Sequence, residues 1–212
     1  MYLSRLRPDP RHPAARRDLG DPYRLHQTLA AVADGDDRLL WRAEPDAQGG
    51  PAVLVQTVAA PDWRRLSAGY GRVDGPTPFE PALREGQRLR FRLVANPTVR
   101  KKREGRKHGT RVPLVHARAP EGHAEVTAGY LDWLDRKAED NGFTTEHVVD
   151  APFEVRTAKT GRDGARHRIV LFGVRFDGAL VVSDPDALGA AVHDGVGPAK
   201  GLGFGLLSLA RE

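Results

Sequence analysis

Tyr23 and His26 stand three residues apart in Asp21-Pro22-Tyr23-Arg24-Leu25-His26-Gln27-Thr28-Leu29, and this pair is well suited to moving protons. Asp21 and Pro22 read as the N-cap and first-turn proline of a helix that should run to about Ala33. With about 3.6 residues per turn, Leu25, Thr28, Leu29 and Val32 share the face that must pack on a sheet. Tyr23 and His26 fall largely on the other side, one turn apart, so an imidazole and a phenol are presented together. An imidazole titrates near neutral pH and suits general acid–base catalysis. By spacing alone, ordinary surface residues remain the commoner reading of such a pair.

RNA carries its own nucleophile, the 2′-hydroxyl. Its cleavage needs a base for that proton, an acid for the leaving 5′-oxygen, and positive charge for the crowded phosphorane. No metal is required, and the sequence offers little to hold one. There is no cysteine, and none of the eight histidines lies within four residues of another. Asp132 and Asp135, beside Arg136 and Lys137, read as a solvated helix face with local ion pairs. Neither a metal nor another cofactor is expected.

Positive charge is abundant. The net charge is +5, the sequence pI is near 9.8, and arginine outnumbers lysine 27 to 6. This balance points to an acidic partner, with nucleic acid ahead of membrane because no basic helix with a bulky apolar face stands out. Guanidinium groups suit bidentate contacts to phosphate and base edges, although a GC-rich genome produces the same bias.

Three segments concentrate the features that bind polyanions. The first, residues 100–111, carries Arg100, Lys101, Lys102, Arg103, Arg106 and Lys107, a density that repels itself unless a polyanion arrives. The second, residues 156–168, sets Arg156, Lys159, Arg162, Arg166 and Arg168 around the turn Thr160-Gly161-Arg162-Asp163-Gly164, a two-stranded ribbon that could probe the end of an RNA stem. The third, residues 195–205, places five glycines and Lys200 in eleven residues, where backbone N–H groups, notably near Gly201 and Gly203, and an ammonium could meet phosphate oxygens. It lacks the order and following helix of a Walker loop; read alone, it is equally a flexible turn into an edge strand.

The elements that must position these residues follow an order that repeats. In residues 1–82 we expect a strand at 1–7, the helix from Asp21, strands at Arg38 to Glu44 and Ala52 to Val58, a short helix at 62–66, and a weak strand within Gly69 to Pro81. In residues 86–212 we expect a strand at Arg88 to Ala95, the basic loop, a helix around Val126 to Asp140, and strands at Thr144 to Thr157 and Arg166 to Val182. A helix opened by Ser183-Asp184-Pro185 and a last strand, Gly205 to Ala210, complete that half. The reading is α+β, two tandem ferredoxin-like βαββαβ domains of RAMP/RRM-like type. No signal-peptide pattern or membrane-length apolar run is found, so a cytoplasmic, membrane-free location is expected.

Taken together, residues 22–29, Arg90-Phe91-Arg92-Leu93-Val94-Ala95-Asn96-Pro97-Thr98, and Gly197-Pro198-Ala199-Lys200-Gly201-Leu202-Gly203-Phe204-Gly205-Leu206-Leu207-Ser208-Leu209 resemble the CasE family. These are the CRISPR RNA-processing endoribonucleases of type I-E Cascade, and the similarity extends over nearly the whole chain. The resemblance implies tandem RAMP domains and metal-free cleavage of the CRISPR repeat hairpin at the 3′ base of its stem. A 2′,3′-cyclic phosphate and a 5′-hydroxyl would result. It implies a catalytic pair at Tyr23 and His26, RNA binding by residues 195–205, and a stem-reading ribbon at 156–168. Retention of the product hairpin within a complex with other Cascade subunits is implied as well. Where relatives often carry an aromatic residue after the catalytic helix, this chain has Ala31-Val32-Ala33. The competing expectation is a non-catalytic RAMP-type scaffold, which has no need of the Tyr23/His26 pair; a third is a general basic RNA chaperone with no preference for hairpins.

Overall fold

The computed structural model describes residues 1–35, 38–101, 109–118, 129–160 and 165–212. Lys102, Arg103, Arg106, Lys107 and Arg162 lie outside the described residues, as does the side chain of Arg166.

Each half builds a four-stranded antiparallel sheet. In the first, β1 (Tyr2–Pro8), β2 (Leu40–Pro45), β3 (Pro51–Thr57) and β4 (Gly71–Pro78) lie in the order β2-β3-β1-β4. The helices α1 (Pro13–Leu19) and α2 (Pro22–Val32) connect β1 to β2, and a single 3-10 turn, Trp63–Arg65, connects β3 to β4. In the second half, β5 (Arg88–Ala95), β8 (Phe143–Thr160), β9 (Arg166–Val182) and β10 (Leu207–Arg211) lie in the order β10-β5-β9-β8. Here the connections are α3 (Tyr130–Asp140) and α4 (Pro185–Asp194). Fourth strand, first, third, second is the ferredoxin-like order in both halves.

Side-chain period decides which face each element buries. Along β5, Leu89, Phe91, Leu93 and Ala95 point inward while Arg88, Arg90 and Arg92 alternate outward. The inward set joins Trp133, Leu134, Phe143, Phe176, Leu180 and Leu188 in one core. In the first half, Leu25 and Leu29 of α2 pack with Leu6, Trp41, Val53, Val55 and Tyr70. Among the described residues no helix is long and apolar enough to cross a membrane.

Three features depart from the sequence expectation. The helix α1 was not foreseen: His12 caps it through an Nδ1 that accepts from the Ala15 amide at 3.4 Å, and imidazole is a weak capping signal. The second helix of the first half contracts to the 3-10 turn, capped by Asp62. The basic run is flanked by two short paired strands, β6 (Thr98–Lys101) and β7 (Thr110–Pro113), which place Arg100 directly opposite Arg111. Like charges facing each other across a strand pair are unfavourable without a counter-charge.

Strands β8 and β9 outrun their sheet. The β5–β9 pairing ends at Ala95 opposite Val174, whereas β8 and β9 continue from Phe153 opposite Gly173 to Thr160 opposite Arg166. The continuation is a two-stranded ribbon.

Polar bonds tie the two sheets together. The buried Arg42 of β2 donates through Nε to Glu44 Oε2 at 3.0 Å and through Nη1 to the Leu206 carbonyl at 3.2 Å. Glu44 also accepts from Arg92, which bonds to Asp177, and Gln56 Nε2 donates to the Val192 carbonyl at 2.7 Å. Burial lowers the proton affinity of Arg42, and Glu44 offsets that cost; burial raises the Glu44 pKa, but Arg42 and Arg92 more than reverse it. Removing one member leaves the others desolvated. We expect Arg42→Met to cost about 2–4 kcal/mol in urea unfolding; a loss within about 0.5 kcal/mol would show the network to be dispensable.

Candidate active site

The helix α2 is fixed at three points before any functional group is placed. At its N-terminus, Asp21 Oδ1 accepts from the Tyr23 amide at 3.0 Å. Along one side Leu25, Leu29 and Val32 are buried. On a second side Thr28 Oγ1 donates to Asp18 Oδ2 at 2.7 Å, and the same buried carboxylate accepts from Tyr70 OH at 3.0 Å and from Arg17 Nε at 2.8 Å. A buried carboxylate is tolerated because it is so well bonded, and it fixes the rotation of α2 about its axis.

With that rotation set, Tyr23 is half-buried at the helix start and His26 one turn on. His26 is not the free surface residue that helical spacing alone suggested. Its ring is covered by the second 3-10 turn, Lys200–Leu202, so closely that a Cβ added to Gly201 would sit 3.3 Å from Nε2. Nδ1 is buried without a hydrogen-bond partner. Burial therefore pushes the His26 pKa below its usual value. The resting imidazole is neutral at pH 7, held by packing rather than by a carboxylate.

This has a consequence for stability. An unfolded histidine takes up its proton at about pH 6.5, whereas folded His26 resists it until the pH is lower. The unfolded state thus binds more protons between the two values, so stability present above about pH 6.5 is lost as the pH falls toward and through the folded value. Urea midpoints at pH 7.5 and 5.5 should differ more for the native protein than for His26→Phe; equal differences would contradict the burial effect.

The glycine-rich loop is shaped by close packing. Gly203 has φ of +86° and lies against Trp41, where an added Cβ would come within 2.8 Å of the indole. The amides of Leu202, Gly203 and Gly205 bond to the carbonyls of Ala199, Lys200 and Val94. Lys200 Nζ donates to the Asp194 carbonyl at 2.6 Å, at the C-terminal end of α4, where a cation complements the helix dipole. In this structure the loop spends those three amides and this ammonium on its own architecture.

The remaining predicted residues divide into two groups. Arg156, Lys159 and Arg168 are exposed on the ribbon, with Arg156 paired to Glu154. Gly20, Asp21, Arg156, Thr157, Ala158 and Arg168 line a cleft of about 350 Å³, so the ribbon meets the first turn of α2. Arg100 and Lys101 are exposed on β6. A second cleft, of about 250 Å³, runs between Thr98 and Arg111 of that hairpin and Pro198, Ala199 and Leu202 of the glycine-rich loop. Sequence reasoning missed Asp18 and Thr157, whose types carry no chemical signal until the fold joins them to α2. Among the described residues no three His, Asp or Glu side chains are grouped to hold a metal ion.

A family model described as CRISPR associated protein matches residues 1–211. The chain is 42% identical over 226 residues to the CRISPR-associated endoribonuclease Cse3 of Thermus thermophilus, covering 99% of this chain and 100% of that protein. It is 32% identical over 222 residues to the CRISPR system Cascade subunit CasE of Escherichia coli K12, covering 99% of each. The solved structure of Thermus thermophilus Cse3 bound to an RNA representing a pre-cleavage complex superposes with a TM-score of 0.77 at 40% identity, covering 99% of this chain and 98% of that one.

Proposed function

The chain belongs to the CRISPR-associated protein family matched along residues 1–211, and from that premise we propose that it is an endoribonuclease that cuts CRISPR repeat hairpins without a metal ion. Its relatives are named as a CRISPR-associated endoribonuclease and a Cascade subunit, and one is solved with a pre-cleavage RNA. The observation that carries the reading for these residues is the neutral, half-buried His26 beside Tyr23, closed over by Gly201 and flanked at the helix start by the ribbon arginines.

In this reading His26 accepts the 2′-hydroxyl proton, the oxygen attacks the adjacent phosphorus, and the 5′-oxygen departs with a proton from Tyr23 or solvent. The products are a 2′,3′-cyclic phosphate and a 5′-hydroxyl. Arg156, Lys159 and Arg168, with Arg162 and Arg166, read the stem; Arg100 and Lys101, with Lys102, Arg103, Arg106 and Lys107, add phosphate contacts. Gly201 and Gly203 let the loop close on the site, and Lys200 joins RNA binding if it exchanges the Asp194 carbonyl for a phosphate. The two halves, residues 1–82 and 86–212, act as one catalytic and one reading domain. The protein keeps its product hairpin, joins other Cascade subunits, and works in the cytoplasm where transcripts are made.

The test is single-turnover cleavage of the host's CRISPR repeat hairpin in excess EDTA, with a second substrate carrying one 2′-deoxy nucleotide just upstream of the cut. Cutting of the first and not the second supports the reading. Binding without cutting turns it into a scaffold, and cutting only with added metal overturns the mechanism. Because His26 acts here as a base with a lowered pKa, the rate should rise from pH 5 and level off by pH 7; a rate that instead falls over that range would make His26 the acid.

A further inference from the structure

Thr157 lies in β8, opposite Ile169, and is buried although both strand neighbours are accessible. Its hydroxyl donates to Asp21 Oδ1 at 2.5 Å. That same oxygen accepts from the Tyr23 amide, and the Asp21 carbonyl accepts from the Leu25 amide at 3.0 Å. One carboxylate therefore holds the ribbon on one side and the first turn of the Tyr23/His26 helix on the other. Arg156, the preceding residue, and Arg168 line the same cleft as Gly20 and Asp21.

We propose that Thr157 is a positioning residue that transmits the seating of an RNA stem on the ribbon to the first turn of α2. The inference rests on the proposed cleavage by Tyr23 and His26. A stem engaged by Arg156 and Arg168 fixes β8 in place; Thr157 passes that placement to Asp21, and Asp21 sets the start of the helix. Thr157 does not meet the RNA itself, since its side chain is turned inward to the cap. It acts on the rate of cutting and not on the strength of binding. Asp21 would cap α2 without it, so the helix does not depend on Thr157 to form.

The experiment compares the full chain with Thr157→Val, which keeps shape and loses the donor, and Thr157→Ser, which keeps the donor. Single-turnover cleavage of the repeat hairpin should fall about five- to tenfold in Thr157→Val, the scale of one cap hydrogen bond. The Kd for the uncleavable 2′-deoxy hairpin should stay within about twofold, and Thr157→Ser should recover most of the rate. Amide hydrogen exchange gives a readout independent of cleavage. Binding of the 2′-deoxy hairpin should slow exchange at Tyr23 in the native protein and Thr157→Ser, and not in Thr157→Val. Equal cutting by Thr157→Val, weakened binding in proportion to the lost rate, or no recovery by Thr157→Ser each overturns the proposal. If the native protein never cuts but the exchange pattern holds, the nuclease reading fails and the coupling stands. If the native protein cuts and exchange at Tyr23 ignores the hairpin, the coupling alone fails.

Discussion

His26→Ala is expected to slow single-turnover cleavage of a repeat hairpin by about 10²–10⁴-fold and to leave the hairpin's Kd within about twofold. The rate effect follows from removing the half-buried imidazole, packed against Gly201, to which we assign the 2′-hydroxyl proton. Binding should survive because Arg156 and Arg168, which we propose read the stem, stand on the ribbon and not on the helix that carries His26. Folding should survive as well. His26 Nδ1 is buried with no partner, so its removal relieves an unpaid desolvation at the same time as it leaves a small cavity. Thermal unfolding beside the kinetics separates the outcomes. A variant that unfolds early would make His26 a packing residue, and one that cuts at the native rate would remove it from the chemistry.

Gly203→Ala should be the most damaging single methyl group in the loop. At φ of +86° an L-residue costs about 1–2 kcal/mol, and the new Cβ would lie 2.8 Å from the Trp41 ring, which is buried and has nowhere to move. Overpacking of that kind adds about 1–3 kcal/mol. A total of about 2–5 kcal/mol corresponds to a Tm lowered by roughly 5–15 °C in a chain of this size. Gly201→Ala makes the informative contrast. Its Cβ would press on the His26 ring at 3.3 Å and on no buried indole. We expect about a tenfold loss of cleavage with a Tm change of a few degrees at most. If instead Gly203→Ala melts with the native protein, the loop is not anchored on Trp41; if both variants lose only activity, the loop's glycines serve the RNA directly.

Where an element has a strong local signal, the sequence predicts it closely. Asp21-Pro22 marks the start of α2, and the alternation in β5 and the long apolar run of β9 predict Arg88–Ala95 and Arg166–Val182 as the structure has them. The placement of Tyr23 and His26 one turn apart on α2 was legible because three-residue spacing on a helix has a single geometric meaning. Elements whose signal is borrowed from elsewhere were not legible. The helix α1 is short, arginine-rich and capped by a histidine, and its Asp18 is bonded to Thr28 of the next helix and to Tyr70, which is remote in sequence. Strands β6 and β7 are hidden in a basic run because facing arginines contradict the usual strand pattern. The burial of His26 is a property of Gly201, and the second duty of Asp21 a property of Thr157; no periodicity encodes either contact. The glycines of the loop looked like room for phosphate, and at Gly203 the room is taken by an indole.

The wall over His26 comes from a turn far downstream of the helix it covers. Translation therefore delivers the two parts of the pocket at opposite ends of synthesis. While the ribosome is still decoding the middle of this message, the emerging chain has α2 and its histidine but no Lys200–Leu202 turn and no ribbon beside Asp21. A nascent polypeptide thus lacks the covered His26 until its last elements dock, so that, on the assignment proposed above, cutting has to await completion of the fold.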